Sequence, residues 1–323
     1  MNSTPKVYSF KEAFGLDVPM SLNGFEEHPF APPRIPGYRF HVNLLRDMIG
    51  FLRSGSTAAC FIGERGTGKT SFVEQFHAAL RLPIITVQAS ADMLSEKLLG
   101  QWVMNSDKSM TYRYAGVLLA AKLGIPVLID EINLVPPGIL SVINRLMEGY
   151  SYDCPETGER ITPTGEFKVF GTCNPPDGVQ YKDREEFDAA LEDRFVWIRC
   201  EYPKPEEEIP LVSAVLASMI PDETVRNGLA TSMVAVANDI RDRHMSRSTT
   251  ADSLRTVMST RVLLRWAKFS LVFHDLAQKG ISPVHYALER VLTGAPSVDE
   301  REKAAIHEIV QLRTGQVANS SAT

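Results

Sequence analysis

The stretch Gly63-Glu64-Arg65-Gly66-Thr67-Gly68-Lys69-Thr70 decides how the rest of this chain is interpreted. It matches the phosphate-binding pattern GxxxxGK[ST]. Glycine lets the backbone fold closely around phosphate oxygens, so that N–H groups point inward. A helix that begins near Lys69 adds the positive end of its dipole. We therefore predict that these residues bind ATP, with the Lys69 ammonium on the β and γ phosphates.

Oxygen ligands for a magnesium ion are found at Thr70 and at the acidic pair Asp130-Glu131, which ends an apolar segment. Mg²⁺ keeps several waters and is held through one or two carboxylates. We predict that the Thr70 hydroxyl and Asp130 hold Mg²⁺, and that Glu131 polarises the attacking water. Alone, the pair would equally suit a solvated acidic turn; together with the phosphate loop it indicates a hydrolase.

Three further polar residues suit the same chemistry. Asn174 follows an apolar segment, where its amide would align the attacking water; an Asn-Pro turn is the alternative. Arg194 precedes another apolar segment and would neutralise charge on the γ-phosphate from a neighbouring subunit, or else form a surface ion pair of little energetic value. Arg261 begins a later helix and would reach back to the phosphates, with a structural salt bridge as the alternative.

Short apolar segments alternate with helical periodicity over the first two thirds of the chain. This alternation predicts an α/β fold with a parallel sheet flanked by helices on both faces. Ligands of such sheets bind at the carboxyl ends of the strands. The predicted strands are Thr57–Ile62, Pro83–Val87, Val127–Asp130, Lys168–Thr172 and Phe195–Cys200.

The chain is predicted to contain two domains. Residues 41–204 form the nucleotide-binding α/β domain, and residues 205–312, which show only helical patterns, form a smaller all-α lid. Residues 1–40 are rich in proline, which removes backbone donors and fixes φ, so an irregular N-terminal extension is expected. Residues 313–323 are predicted to be a disordered tail.

Composition excludes several classes of protein. The chain has 323 residues and a net charge of −5, so charge does not favour nucleic acid as the main partner. Its four cysteines are far apart, which argues against a metal site or a disulfide framework. No segment resembles a signal peptide or a membrane span. A cytoplasmic location with reduced thiols is expected.

Taken in order, GERGTGKT, VLIDEIN, FGTCNPP, ALEDRF and STRVLL resemble the motif series of the MoxR class of AAA+ ATPases. The resemblance covers most of residues 40–300. It implies a P-loop AAA+ core with a helical lid, working as a ring that is expected to be hexameric. The implied roles are Walker A for Lys69 and Thr70, Walker B for Asp130 and Glu131, sensor 1 for Asn174, arginine finger for Arg194 and sensor 2 for Arg261.

The resemblance also implies two inserted elements. Residues 98–117 lie where the family carries a helix-2 insert, and residues 150–164 lie where it carries a pre-sensor-1 hairpin; in the family both contact the client. Tyr112-Arg113-Tyr114 is then an exposed aromatic and basic cluster, or else ordinary hairpin packing. The segment Phe10–Met20 resembles the start of ATPase subunits of aerobic cobaltochelatases, and the core is shared with ATPases that activate Rubisco or nitric oxide reductase.

These features favour a motor that remodels or activates a client enzyme, for metal or cofactor insertion or for enzyme activation. By resemblance, it would act with a protein that carries a von Willebrand factor A domain. The alternative is a ring that acts on nucleic acid, of the restriction or helicase-loader type, which should show basic, aromatic-lined pore loops. An inactive nucleotide-sensing scaffold is disfavoured because Glu131, Asn174 and Arg194 are all present.

Overall fold

The computed structural model describes residues 3–90, 95–175, 189–245 and 253–317. Its contacts divide the chain into two compact units. The first comprises Met1–Glu64 and Gly68–Cys200, and the second comprises Arg65–Thr67 and Glu201–Thr323. The chain therefore changes unit after Cys200, slightly before the predicted position at residue 204. Three residues at the tip of the phosphate loop belong to the second unit.

The first unit contains a parallel sheet, its covering helices and three small antiparallel pairs. In chain order its elements are β1 (Pro5–Ser9), α1 (Phe10–Phe14), β2 (Ser21–Phe25), α2 (Val42–Ser54), β3 (Ala58–Ile62), α3 (Lys69–Leu80), β4 (Ile85–Gln88), α4 (Ser95–Leu98), β5 (Gly100–Met104), β6 (Met110–Tyr114), α5 (Gly116–Leu123), β7 (Val127–Asp130), a 3₁₀ turn (Ile132–Leu134), α6 (Pro137–Met147), β8 (Tyr152–Asp153), β9 (Arg160–Ile161), β10 (Val169–Cys173), α7 (Ala189–Glu192) and β11 (Val196–Arg199).

The parallel sheet has the strand order β11-β3-β10-β7-β4. Every residue of β10 is buried, as is most of β3 and β7, because helices cover both faces. This double burial explains why the strands appear in the sequence as continuous apolar runs. The predicted α/β fold is confirmed, and the carboxyl ends of β3, β7 and β10 lie along one edge.

The N-terminal region differs from the predicted irregular extension. Its strands β1 and β2 pair antiparallel over their full length, and the Ser9 hydroxyl caps α1 by accepting from the Glu12 N–H. Phe14 stacks on Phe76 of α3 with ring centroids 5.5 Å apart. A Cβ on Gly24 would lie 2.0 Å from the Leu80 carbonyl oxygen. Aromatic residues interspersed among the prolines therefore supply the apolar surface that joins this region to the core.

Two hairpins lie at the positions predicted for the inserts. In the first, β5 pairs with β6 from Gly100 opposite Tyr114 to Met104 opposite Met110; in the second, β8 pairs with β9. Tyr112 and Tyr114 are only partly exposed and pack on the core beside the sheet. The large exposed apolar side chains of the first hairpin are Trp102, Met104 and Met110.

The second unit contains helices and no strand among its described residues. Its elements are α8 (Pro205–Leu216), α9 (Glu223–Met245), α10 (Thr260–Val272), a 3₁₀ helix (His274–Lys279), α11 (Pro283–Leu288), a π-helical turn (Glu289–Thr293) and α12 (Glu300–Thr314).

The helices of the second unit enclose their own core. Its centre is Trp266, which is fully buried and donates from Nε1 to the Val284 carbonyl oxygen at 2.9 Å. The predicted helical lid is confirmed. The tail, however, begins later than residue 313, because α12 continues through Thr314 and ends at Gly315 with φ 69°. Residues 318–323 of that prediction lie outside the described residues.

A histidine pair, in which His285 is buried and His307 is half-buried, joins α11 to α12. His285 Nδ1 lies 2.7 Å from His307 Nδ1, and His285 Nε2 lies 2.8 Å from the Gln316 carbonyl oxygen. Because a carbonyl only accepts, His285 donates from Nε2 and accepts at Nδ1 from His307. His307 Nε2 then accepts from the Thr293 hydroxyl at 3.2 Å. Each ring has one donor and one acceptor, so the network requires both rings to be neutral.

The surroundings favour these neutral forms. Burial, followed by the proximity of His285, lowers the pKa of His307 to about 4, against a raising effect of Glu289 and a further lowering by Lys303. Burial also lowers the pKa of His285. In the unfolded chain both rings titrate near 6.5. Their contribution to stability is therefore complete above pH 6.5 and is lost as the pH falls towards 4.

We expect the free energy of unfolding to drop by about 1–2 kcal/mol through His307 between pH 7 and pH 4, a range that allows for solvent screening of this half-buried ring. Urea denaturation at half-unit pH steps measures this. The substitution His307→Gln removes the titrating group and should flatten the profile over this range, whereas the control His274→Gln, outside the network, should leave its slope intact. Equal slopes for wild type and His307→Gln would contradict the assignment.

Candidate nucleotide-hydrolysis site

The phosphate loop connects β3 to α3. Gly63 continues the sheet by donating its N–H to the Cys173 carbonyl oxygen at 3.3 Å. Gly66 and Gly68 have φ values of 79° and 86°, which side chains with a Cβ rarely adopt. Gly68 is the N-cap of α3, so the first helical residue is Lys69. The two glycines therefore allow the turn that brings a helix N-terminus to the carboxyl end of β3.

The Lys69 ammonium is buried within this loop. Its Nζ donates to the carbonyl oxygens of Gly63 and Glu64 at 2.8 and 2.9 Å, and to Asn174 Oδ1 at 2.7 Å. Burial lowers its pKa, while nearby acidic groups, among them Asp130, oppose this. The structure thus brings together two residues predicted from separate motifs, Lys69 and Asn174. None of these three acceptors is a carboxylate, so the ammonium forms no ion pair with them.

The Asp130 carboxylate at the end of β7 receives two hydroxyl donors. Thr70 Oγ1 and Thr172 Oγ1 each donate to Asp130 Oδ1 at 2.5 Å. Thr70 lies in the first turn of α3, so the two predicted magnesium ligands are adjacent. A hydroxyl and a carboxylate are hard oxygen donors, and Mg²⁺ needs only one or two such protein ligands beside water and phosphate oxygens. The residues present therefore fit this ion.

Glu131 has a left-handed backbone conformation, with φ 58° and ψ 47°. A non-glycine residue in this region costs about 1 kcal/mol or more and persists only where its surroundings hold it. Here the Glu131 N–H donates to Thr172 Oγ1 at 3.0 Å, and the 3₁₀ turn follows immediately. The turn stops β7 after Asp130. As a result, the two adjacent carboxylates no longer follow the alternation of a strand and can have different roles.

Thr172 was not among the residues predicted from the sequence. It is fully buried in β10, and one hydroxyl accepts from the Glu131 N–H and donates to Asp130. It thereby fixes the Asp130 carboxylate and the backbone of Glu131 at once. The available signal was a hydroxyl residue within an otherwise apolar strand, two positions before Asn174. That signal has no meaning until β10 is known to lie beside β7.

Arg194 lies away from these groups within its own chain. The strands β3 and β11 are parallel, and Arg199 at the end of β11 is opposite Ile62, just before the phosphate loop. Arg194 precedes the first residue of β11, and the strand itself spans about 10 Å. The guanidinium is thus near the amino edge of the sheet, where its Nε and Nη2 donate to Glu148 Oε1 at 2.8 and 2.6 Å.

Arg261 is exposed in the first turn of α10 in the second unit. The preceding Ser259 is the N-cap and accepts from the Val262 N–H at 3.3 Å. Within the same unit, a Cβ on Gly66 would lie 2.3 Å from the Cβ of Ser259. Glycine is therefore required at position 66 for close packing as well as for its positive φ. The phosphate contact predicted for Arg261 stays a prediction.

The start of α10 is fixed by an ion pair that the sequence did not reveal. Arg241 and Glu208 are buried and joined by two bonds of 2.8 Å. Arg241 Nε also donates to the Met258 carbonyl oxygen at 2.7 Å, and Glu208 Oε1 accepts from the Thr260 hydroxyl at 2.7 Å. The pair thus holds residues on both sides of Ser259. Charged residues far apart in the sequence give no sign of such pairing.

Comparison with known proteins agrees with this geometry. A family model described as AAA domain (dynein-related subfamily) matches residues 58–195, and another, described as CbbQ/NirQ/NorQ C-terminal, matches residues 218–313. The aerobic cobaltochelatase subunit CobS of Sinorhizobium sp is 25% identical over 322 residues, which cover 95% of this chain and 90% of CobS. The chain is a MoxR-type AAA+ ATPase.

Other relatives of this ATPase differ greatly in size. The uncharacterized protein YojN of Bacillus subtilis is 28% identical over 309 residues, covering 91% of this chain and 92% of YojN. Midasin of Dictyostelium discoideum is 24% identical over 250 residues, which are 77% of this chain but only 4% of midasin.

Two kinds of feature are absent from the described residues. None of the helices there has both the length and the apolar character needed to cross a membrane. Those same residues also contain no cluster of three or more histidine, cysteine, aspartate or glutamate side chains suited to hold a metal. The second result is compatible with magnesium, because Mg²⁺ takes most of its ligands from water and the nucleotide.

We expect Thr172→Val to lower kcat for ATP about 10–100-fold, because the orienting bonds to Asp130 and Glu131 are lost while the side-chain volume is kept. Thr172→Ser retains the hydroxyl and should keep most of the activity. The control is Thr57→Val, which removes a hydroxyl bond to the Met147 carbonyl oxygen in the same unit. Steady-state phosphate release at saturating MgATP measures all three, and wild-type turnover in Thr172→Val would contradict this role.

Proposed function

We propose that this MoxR-type ATPase is a ring motor that hydrolyses MgATP at sites shared between neighbouring subunits. The observation that carries the proposal is the position of Arg194. The groups that would bind and attack the nucleotide are assembled at the carboxyl edge of the sheet. The arginine expected to complete them lies towards the amino edge. A second copy must then supply it, and a closed ring is the symmetric arrangement that gives every site an arginine.

Each residue has a distinct task in this proposal. Lys69 and the backbone N–H groups of the loop bind the β and γ phosphates. Thr70 and Asp130 would hold Mg²⁺, which supplies charge neutralisation on the phosphate oxygens. Glu131 takes a proton from the attacking water, and Asn174 orients that water. Arg194 of the adjacent subunit stabilises negative charge that develops on the transferred phosphoryl group.

The output of the motor is proposed to be the remodelling or activation of a client protein. Apolar side chains of the first hairpin, Trp102, Met104 and Met110, are exposed and would suit a polypeptide client. A ring that acts on nucleic acid would need basic, aromatic-lined loops, and the chain carries a net charge of −5. By family resemblance, we further propose a hexamer, a cytoplasmic location, a partner with a von Willebrand factor A domain, and a role in metal or cofactor insertion or enzyme activation.

Replacing the proposed base tests the hydrolytic site. We expect Glu131→Gln to bind ATP with near wild-type affinity but to lower kcat by at least about 100-fold, because the amide cannot accept the proton from water. Filter binding of labelled ATP and single-turnover hydrolysis separate the two steps. The control Glu159→Gln removes a carboxylate paired with Lys122 at 2.7 Å, outside the site. Normal turnover in Glu131→Gln would reject Glu131 as the base.

Mixed rings test whether the site is shared. Arg194→Ala alone should bind ATP but lose about 10³-fold or more in turnover. Glu131→Gln chains still carry the arginine, and Arg194→Ala chains still carry the base, so a mixture restores a complete site at some interfaces. We expect partial recovery of activity when the two are mixed in equal amounts. If turnover in the mixture does not exceed the sum of the separate variants, the shared site is wrong.

A further inference from the structure

The proposed nucleotide site does not explain why Arg194 is paired with Glu148 in its own chain. One carboxylate oxygen, Glu148 Oε1, accepts from both Nε and Nη2 of Arg194 at 2.8 and 2.6 Å. The side chains are 30% and 39% exposed. An ion pair with this exposure contributes at most about 1 kcal/mol to folding. Stability alone is therefore a weak reason for this contact.

The position of Glu148 at a helix end is also not explained by stability. It is the C-cap of α6, where a negative charge meets the negative end of the helix dipole and destabilises the helix by about 0.3–1 kcal/mol. The chain then leaves the helix through Gly149, whose φ is 80°. A carboxylate at this position destabilises the helix, so we look for its role in its contact with Arg194.

The helix that carries Glu148 is a rigid base. Its buried face, which packs into the core beside the sheet, fixes the helix end relative to β7 and β10. The residues of this face are Ile139, Ile143, Leu146 and Met147. By contrast, an arginine side chain has several rotatable bonds and about 2 kcal/mol of rotamer entropy to lose. An arginine that serves a neighbouring subunit gains most from being oriented before the subunits meet.

The geometry of the contact suits this purpose. A guanidinium has five N–H donors in one plane, and the pair with Glu148 uses two of them along the Nε–Nη2 side. Holding that side fixes the plane of the group and directs the opposite side of the fork away from Glu148. Phosphate oxygens are bound well by such a fork.

We propose that Glu148 is a positioning residue that orients Arg194 towards the nucleotide of the adjacent subunit. The inference rests on the shared site proposed above and names a residue for its regulation. Glu148 touches neither substrate nor magnesium in this scheme and acts only through the arginine of its own chain. Replacing Glu148 should therefore lower ATP hydrolysis at the neighbouring subunit's site and not at the site of its own chain.

Mixed rings can locate the defect. The parent mixture pairs chains with Glu131→Gln, which give only an arginine, with chains with Arg194→Ala, which give only a base. Glu148→Gln is then added to one chain type at a time. We expect at least about tenfold lower rescued kcat when Glu148→Gln is on the arginine-giving chain. On the base-giving chain, which has no Arg194, it should change the rescued rate less than twofold.

The matched control is Asp239→Asn on the arginine-giving chain. Asp239 lies in the second unit and accepts from the same side of an arginine, Nε and Nη2 of Arg313 at 2.6 and 2.8 Å, but with both of its oxygens. It should leave the rescued rate and the KM for ATP unchanged. Thermal unfolding and gel filtration of every chain verify folding and assembly, and Glu148→Ala repeats the test with a different side chain.

The outcomes separate the two proposals. An equal loss from both placements, or a loss only on the base-giving chain, would show that Glu148 acts through the fold or its own site and would overturn its positioning role. Rescue that is insensitive to Glu148→Gln on either chain would overturn that role while leaving the shared site intact. Absence of rescue in the parent mixture would overturn the shared site and the role of Glu148 with it.

Discussion

The parallel pairing of β3, β10 and β7 is the constraint on which the candidate site depends. Because all three strands run in one direction, their carboxyl ends meet at one edge. The phosphate loop, the acidic pair and Asn174 each follow one of these ends. Hydrogen bonds then join the three: Lys69 to Asn174, Thr70 to Asp130, and Thr172 to both Asp130 and the Glu131 backbone. Disturbing the register of β10 would separate all of them.

The same constraint underlies the proposal that the site is shared between subunits. In a parallel sheet, a residue before a strand and a residue after its neighbour lie at opposite edges. Arg194 precedes β11, whereas the phosphate loop follows β3. The topology that brings the other groups together thus leaves Arg194 at the opposite edge, where in the proposed ring another subunit would use it. An arginine presented in this way has to be oriented by its own chain, and Glu148 at the end of a buried helix is placed to do so.

Several elements could be predicted from the sequence because their signals are local. Glycines at positive φ, a lysine at the start of α3 and carboxylates at a strand end depend on neighbouring residues only. Helix α3 begins at Lys69, where a helix start was predicted. The strands of the N-terminal region were not predicted, because they depend on long-range contacts and not on neighbouring residues. Its strands β1 and β2 are stable through pairing and through packing on α3, and prolines in the sequence conceal that contact.

The fold class, the phosphate-loop motif and the family can be recognised from the amino-acid sequence alone, since they follow from residue types at short, fixed spacings. Which polar residues form hydrogen bonds across long sequence separations is known only from the folded structure. The bonds of Thr172 to the Asp130 carboxylate and the Glu131 backbone, the pairs Glu148–Arg194 and Glu208–Arg241, and the His285–His307 network all join elements far apart in the chain. No local pattern encodes these contacts, because a side chain's partner is set by the packing of whole helices and strands and not by its neighbours in sequence.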